Sequence, residues 1–371
     1  MNLIKKIVIA LIVIIFSYII WRLIAKRNNI INQIELKKRI EPFDLGVFTD
    51  PAASELNAIK ETKIKIDILG LQKTYESLPL SQYCIKASYN SAFTGKYINM
   101  DMLTYLLSRG VRYFDFEVYY ITDQTTGRHL PQVGYSTDGN IIVMDSTNTV
   151  LLDNALSALV SGAFSQVSPN NVDPLFINLR IKSNNNDVYK AVASSVDFTL
   201  KPALYISKNG DRKVTKDTMM SNIMGKVVLM VDKTINRDYQ TFASCKASDK
   251  TCYDLTKYIN METGSETLGM VSNSELLLQP PMRIQIKDDN LGTDIRNMNV
   301  VVPNMLPTNA SNPDIQKIIK NYGSQIVPFK FYQKDTGLFD YETLFNDNHA
   351  GIIPLAKVLA YYEKIKMQTS G

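Results

Sequence analysis

Apolar positions along this chain fall into two regimes. From Ile7 to Ala25 they are almost continuous, broken only by Ser17, Tyr18 and Arg22. At helical rise that run spans roughly 28 Å, close to the thickness of a bilayer core. Beyond it, short apolar runs alternate with stretches of helical period. Strand-like runs are Tyr83 to Ala87, Val111 to Tyr119, Ile141 to Met144, Leu175 to Ile181, Val227 to Val231, Met282 to Ile286, Val300 to Val302 and Gln325 to Phe331. Helical period covers Asp101 to Ser108, Leu151 to Leu159, Asp187 to Leu200 and Asp314 to Tyr322. Several of the strand runs are apolar throughout, as strands buried on both faces are. The pattern predicts an α/β protein, a TIM-type (β/α)8 barrel under a helical shell.

Three segments follow: an N-terminal transmembrane helix serving as anchor over residues 1–27, a polar juxtamembrane stalk over 28–77, and the barrel over 78–371. Trp21, Arg22 and Leu23 stand where signal-peptide cleavage needs small residues, so the anchor is expected to stay uncleaved, with Arg22 reaching towards the interface. Lys5 and Lys6 precede the run, while Lys26, Arg27, Lys37, Lys38 and Arg39 follow it closely. This bias predicts a single-pass membrane protein with a cytosolic globular domain beside an anionic leaflet.

The net charge of +5 is concentrated at the N-terminus: residues 1–42 carry a surplus of six positive charges, and the rest of the chain nets −1. A near-neutral globular part excludes a nucleic-acid partner. Three cysteines, Cys84, Cys245 and Cys252, fit a reducing compartment, although Cys245 and Cys252 are near enough to pair across a short loop. No protein partner can be read from the sequence.

Four segments carry candidate chemistry: KASYNSAF (Lys86 to Phe93), RGVRYFDFEVYY (Arg109 to Tyr120), PQVGYS (Pro131 to Ser136) and PLFINLRI (Pro174 to Ile181). In this order they resemble the phosphoinositide-specific phospholipase C family, and weaker likenesses at Met224 to Lys233, Tyr322 to Phe345 and Gly351 to Lys357 extend the resemblance over Leu78 to Tyr362. That family reads Ser-His-Asn-Thr in the first segment, Glu-x-Asp in the second, a second His in the third and Glu in the fourth. This chain has Tyr89, Asp115-x-Glu117, Tyr135 and Arg180 at those places.

The resemblance implies an attack of the inositol 2-hydroxyl on phosphorus, with two histidines as base and acid and a calcium ion beside the phosphate. Phenols with an ordinary pKa near 10 are poor substitutes for imidazoles. Losing one acid–base partner typically costs about 10² to 10⁴ in rate. Asn90, Asp115 and Glu117 are half of the implied metal site. Arg180 opposes calcium there and is expected to fill the ion position, pairing with both carboxylates, as an arginine does in bacterial members of the superfamily. The expected cofactor is therefore none.

Asn90 and Lys226 are the implied headgroup contacts, while Met230 and Asp232 replace the alternating lysines that grip ring phosphates. His129 and His349 are the only histidines, and His129, near Tyr135, is the candidate to rescue acid–base chemistry. The expectation is a membrane-anchored, catalytically degenerate barrel that binds a phospholipid or phosphodiester headgroup or acts as a scaffold. The alternative is an active, metal-independent phosphoric diester hydrolase or lyase that uses Arg180 with His129 or a tyrosine.

Overall fold

The computed structural model describes residues 50–61, 65–123, 125–136, 145–246, 251–287, 292–304 and 310–369. The expected anchor over 1–27 and the strand at Ile141 to Met144 lie outside these residues. Among the described residues, no helix is long and apolar enough to cross a membrane.

The strands are β1 (Tyr83–Ser88), β2 (Tyr113–Thr122), β3 (His129–Gly134), β4 (Val150–Leu151), β5 (Leu175–Lys182), β6 (Val227–Asp232), β7 (Met261–Thr263), β8 (Gly269–Ser272), β9 (Asn299–Val302), β10 (Ile326–Phe329) and β11 (Ile352–Pro354). Eight of them form a parallel sheet in the order β7-β6-β5-β2-β1-β10-β9-β8. This is chain order wrapped into a ring, a nearly closed barrel whose seam lies between β7 and β8. The β3 and β11 strands attach antiparallel, to β2 and β1 respectively.

Side-chain alternation divides the core in two. On β5, Leu175, Ile177, Leu179 and Ile181 join the layer beneath the helices, whereas Phe176 belongs to a second cluster inside the barrel. The inward positions stack in register. Tyr113 lies beside Phe176 and Phe176 beside Val228, a closed apolar floor. One step up, Asp115 lies beside Asn178, and a further step up Glu117 lies beside Arg180. Polarity thus rises towards the carboxyl ends of the strands, where barrels of this kind place their sites.

The four expected helices form as Met100–Ser108, Leu152–Ala163, Asp187–Thr199 and Ile315–Tyr322. Asn99 and Asp314 cap two of them by accepting from the backbone nitrogens of Asp101 and Lys317. The expected strand at Met282 to Ile286 does not form. Pro280 and Pro281 open that run and remove two ladder donors, leaving an irregular crossing with one isolated bridge, Ile286 to Thr293. The β7 and β8 strands, which no expected run covers, complete the eight parallel strands.

One further expectation is corrected, and one alternative left open is resolved. The compact unit begins at Asp50, because helix Pro51–Lys60 buries Leu56 and Ile59 against the shell and Glu55 accepts from the Thr94 hydroxyl at 2.6 Å. The stalk therefore does not extend to residue 77. Cys245 and Cys252 are joined in a disulfide across a separation of seven residues, while Cys84 is free and buried. Such a bridge persists under oxidising conditions.

Candidate functional site

Arg180 projects into the barrel near the end of β5 and is 4% exposed. Every nitrogen of its guanidinium has a partner. Nε donates to Asp115 Oδ1 at 3.0 Å, Nη1 to Glu117 Oε1 at 2.9 Å and to the Tyr89 hydroxyl at 3.2 Å, and Nη2 to Asp115 Oδ2 at 2.6 Å and to Asn90 Oδ1 at 2.7 Å. Its charge also lies over the Tyr89 ring, 4.6 Å from the centroid. Burial alone would lower its pKa, but Asp115, Tyr89 and Glu117 outweigh burial and hold the cation well above the ordinary arginine value.

The carboxylates are as fully engaged. Asp115 also accepts from the Asn90 backbone at 3.1 Å and from Asn178 Nδ2 at 3.0 Å. Glu117 Oε2 takes the Tyr119 hydroxyl at 2.7 Å, the Ser136 backbone nitrogen at 2.8 Å and Lys182 Nζ at 2.9 Å. Asn90 reaches this arrangement from a left-handed backbone turn, φ 45°, immediately after β1. Burial pulls the Lys182 pKa down while Glu117 pulls it up, and the net direction is down.

Tyr135 follows β3 and stacks on Phe93 at 3.9 Å, with Tyr332 edge-on to it at 6.4 Å. Burial raises the phenol pKa of Tyr89, Tyr135 and Tyr332, and the nearby Glu117 adds to the rise in each. The Tyr332 hydroxyl is buried beside the Tyr135 phenol. These phenols are donors at neutral pH, not bases.

Tyr89, Asn90, Asp115, Glu117 and Arg180 therefore converge, and Tyr135 stands beside them. His129 does not join. It is exposed and pairs with Thr122 near the tip of the β2–β3 hairpin, whereas Glu117 pairs with Gly134 at its base. The five residue steps put roughly 17 Å between the two levels. The hairpin carries this histidine away from the barrel as an antiparallel arm. Lys226 also fails as a headgroup contact, since it precedes β6 and so lies at the opposite, amino-terminal end of the barrel.

Sequence reasoning missed Tyr119, Lys182, Asn178 and Tyr332. Period-two alternation from Asp115 and Arg180 places the first three on the inward faces of β2 and β5, so that signal was available; Tyr332 carried none. Among the described residues, no group of three or more His, Cys, Asp or Glu side chains is placed to hold a metal ion.

The model of the phosphatidylinositol-specific phospholipase C X domain matches residues 76–233, which contain Arg180 and all its partners. That segment is similar to the X domain of phosphatidylinositol-specific phospholipases C. The crystal structure of L. pealei PLC21 resembles this phospholipase C-like barrel with a TM-score of 0.54 at 13% identity, over 75% of this chain and 37% of that one. S. officinalis PLC21 gives 0.52 at 13% identity, over the same 75% and 37%. The chain spans little more than a third of the length of these proteins, and likeness at this identity speaks for the fold alone. No curated protein sequence matches it.

Proposed function

We propose that this phospholipase C-like barrel no longer turns over phosphodiesters and serves as a binding or scaffolding module held at a membrane by the apolar run Ile7 to Ala25. The observation that carries this reading is the saturation of Arg180. A guanidinium that already satisfies two buried carboxylates has no charge to offer a phosphate oxygen, and Lys182 is committed to Glu117 in the same way. Acid–base groups are lacking as well. The histidine positions of the family hold Tyr89 and Tyr135, both held protonated by burial. The alternative of a metal-independent hydrolase or lyase loses its base with His129 on the exposed hairpin.

Asn90, Asp115 and Glu117 direct their oxygens at the guanidinium as hard-cation ligands would at an ion. In this reading Arg180 fills the cation position and the barrel takes no calcium. The disulfide supports a barrel on the oxidising side of the membrane, against the cytosolic side that flanking charge favours. Labelling of the denatured, unreduced protein that found three thiols rather than one would remove that support.

The test is release of inositol phosphate from phosphatidylinositol vesicles with calcium or with chelator. The full-length protein is expected to match an Arg180→Ala control in both. Turnover above that control would overturn the reading. In parallel, Arg180→Glu supplies a further oxygen ligand and is expected to gain a calcium-dependent rise in melting temperature that wild type lacks. Equal responses in the two proteins would show that the guanidinium does not stand in for an ion.

A further inference from the structure

The outer face of β7 is only partly covered, Glu262 meeting Tyr239 and Gln240 of one short helix. The β7 and β8 strands are joined by only Gly264 to Leu268, with no helix to cover them, and among the described residues the connection from β6 to β7 contributes the short helix Tyr239–Ala243 and one further turn. An open groove of about 1070 Å³ results, at the upper end of ligand-site sizes.

Five cations line this groove: Lys201, Arg212, Lys213, Lys233 and Lys257. Three are already paired: Lys201 with Asp197 at 2.5 Å, Lys233 with Glu262 at 3.5 Å and Lys257 with Asp254 at 3.9 Å. Glu262, which faces outward between the inward Met261 and Thr263, is further occupied by the Tyr239 hydroxyl and Gln240 Nε2, each at 2.6 Å. Asp211 and Glu266 are the other lining carboxylates. Asp197 senses Arg212 electrostatically, but its hydrogen bonds go to Lys201 and the Tyr258 hydroxyl.

Arg212 and Lys213 are thus left over. Neither makes an ion pair among the described residues, and Arg212 Nη1 is buried with no hydrogen-bond partner while the guanidinium rests 5.8 Å from the Tyr258 ring centroid. A buried cationic donor without an acceptor costs free energy until an anion supplies one. We propose that this groove is a binding site for a phosphomonoester, with Arg212 and Lys213 gripping the phosphate oxygens and Tyr258 holding the guanidinium plane. A phosphomonoester provides several acceptor oxygens and about two negative charges, matching adjacent donors of this kind. The site lies outside the barrel and is independent of the Arg180 network and of whether that network turns anything over.

The ligand can come from a lipid headgroup or from a soluble phosphate, and two probes separate the sources. Calorimetry with glycerol 3-phosphate measures the soluble form, and flotation with phosphatidylcholine vesicles containing phosphatidic acid measures the lipid form, both on full-length protein at fixed ionic strength. Wild type is expected to bind at least one probe, and Arg212→Ala to weaken it by about tenfold or more, the worth of one charge-assisted contact. Lys213→Ala, an exposed change that spares the fold, is expected to weaken the same probe, whereas Lys317→Ala, exposed on the helix Ile315–Tyr322 and outside the groove lining, is not. Binding of glycerol 3-phosphate alone assigns a soluble ligand, and binding of the vesicles assigns a lipid. If wild type binds neither, or if Lys213→Ala binds as wild type does, the proposal is overturned even should Arg212→Ala fail to fold.

Discussion

Arg180→Ala is expected to lower the stability of the barrel by about 3–5 kcal/mol, the cost of stranding buried charge when one partner of an ion pair is removed. The two carboxylates would not suffer equally. Glu117 would keep Lys182, Tyr119 and the Ser136 backbone, whereas Asp115 would keep only neutral donors, Asn178 and the Asn90 backbone. The double variant Arg180→Ala, Asp115→Asn is therefore expected to recover much of the loss, and Arg180→Ala, Glu117→Gln to recover less, because it strands Lys182. Chemical denaturation of the three variants reads this order. A loss below about 1 kcal/mol for Arg180→Ala, the worth of an exposed pair, would mean that water reaches the network and that its saturation does not close the site.

Convergence of the site was legible because strand period is two: Asp115 and Glu117 had to share a face, and β5 had only to pair beside β2 for Arg180 to meet them. The same rule would have delivered Tyr119 and Lys182. His129 was misplaced for want of strand direction, since nothing in Pro131 to Ser136 distinguishes a barrel strand from the returning arm of a hairpin. Lys226 was misjudged by polarity of another kind, a lysine beside a strand being assigned to the wrong end of it. The β7 and β8 strands escaped notice because they are three and four residues long, and Glu262 and Ser272 break any apolar run. Met282 to Ile286 looked like a strand on composition, and its two leading prolines were underweighted. Tyr332 joins the site only through closure of the ring, which no local pattern encodes.

A second buried charge cluster sets the position of β1 and hence of Tyr89 and Asn90. On the outward face of β1, Lys86 donates to Glu342 at 3.4 Å and to the Arg109 carbonyl at 2.8 Å, and Glu342 also accepts from Arg109 Nε and Nη2, in the helix Thr336–Asp347. Two cations share one carboxylate, and all three side chains are nearly inaccessible. Glu342→Gln is expected to cost about 3–5 kcal/mol at neutral pH, because it leaves both cations without a counter-charge. The pH dependence identifies the cause. Burial already pushes the Lys86 ammonium down to about 8 from 10.5, against the upward pull of Glu342. The folded state thus binds fewer protons than the unfolded chain across that window, so this lysine's contribution to stability rises with pH from about 8. Without Glu342 the folded-state pKa falls further and the window opens lower, so the variant is expected to regain stability on alkalinisation from neutral pH to about 9, before tyrosine ionisation near 10 intervenes. Denaturation midpoints across that range measure it. A deficit that stays constant with pH would mean that lost packing between helix and strand, not stranded charge, accounts for the damage.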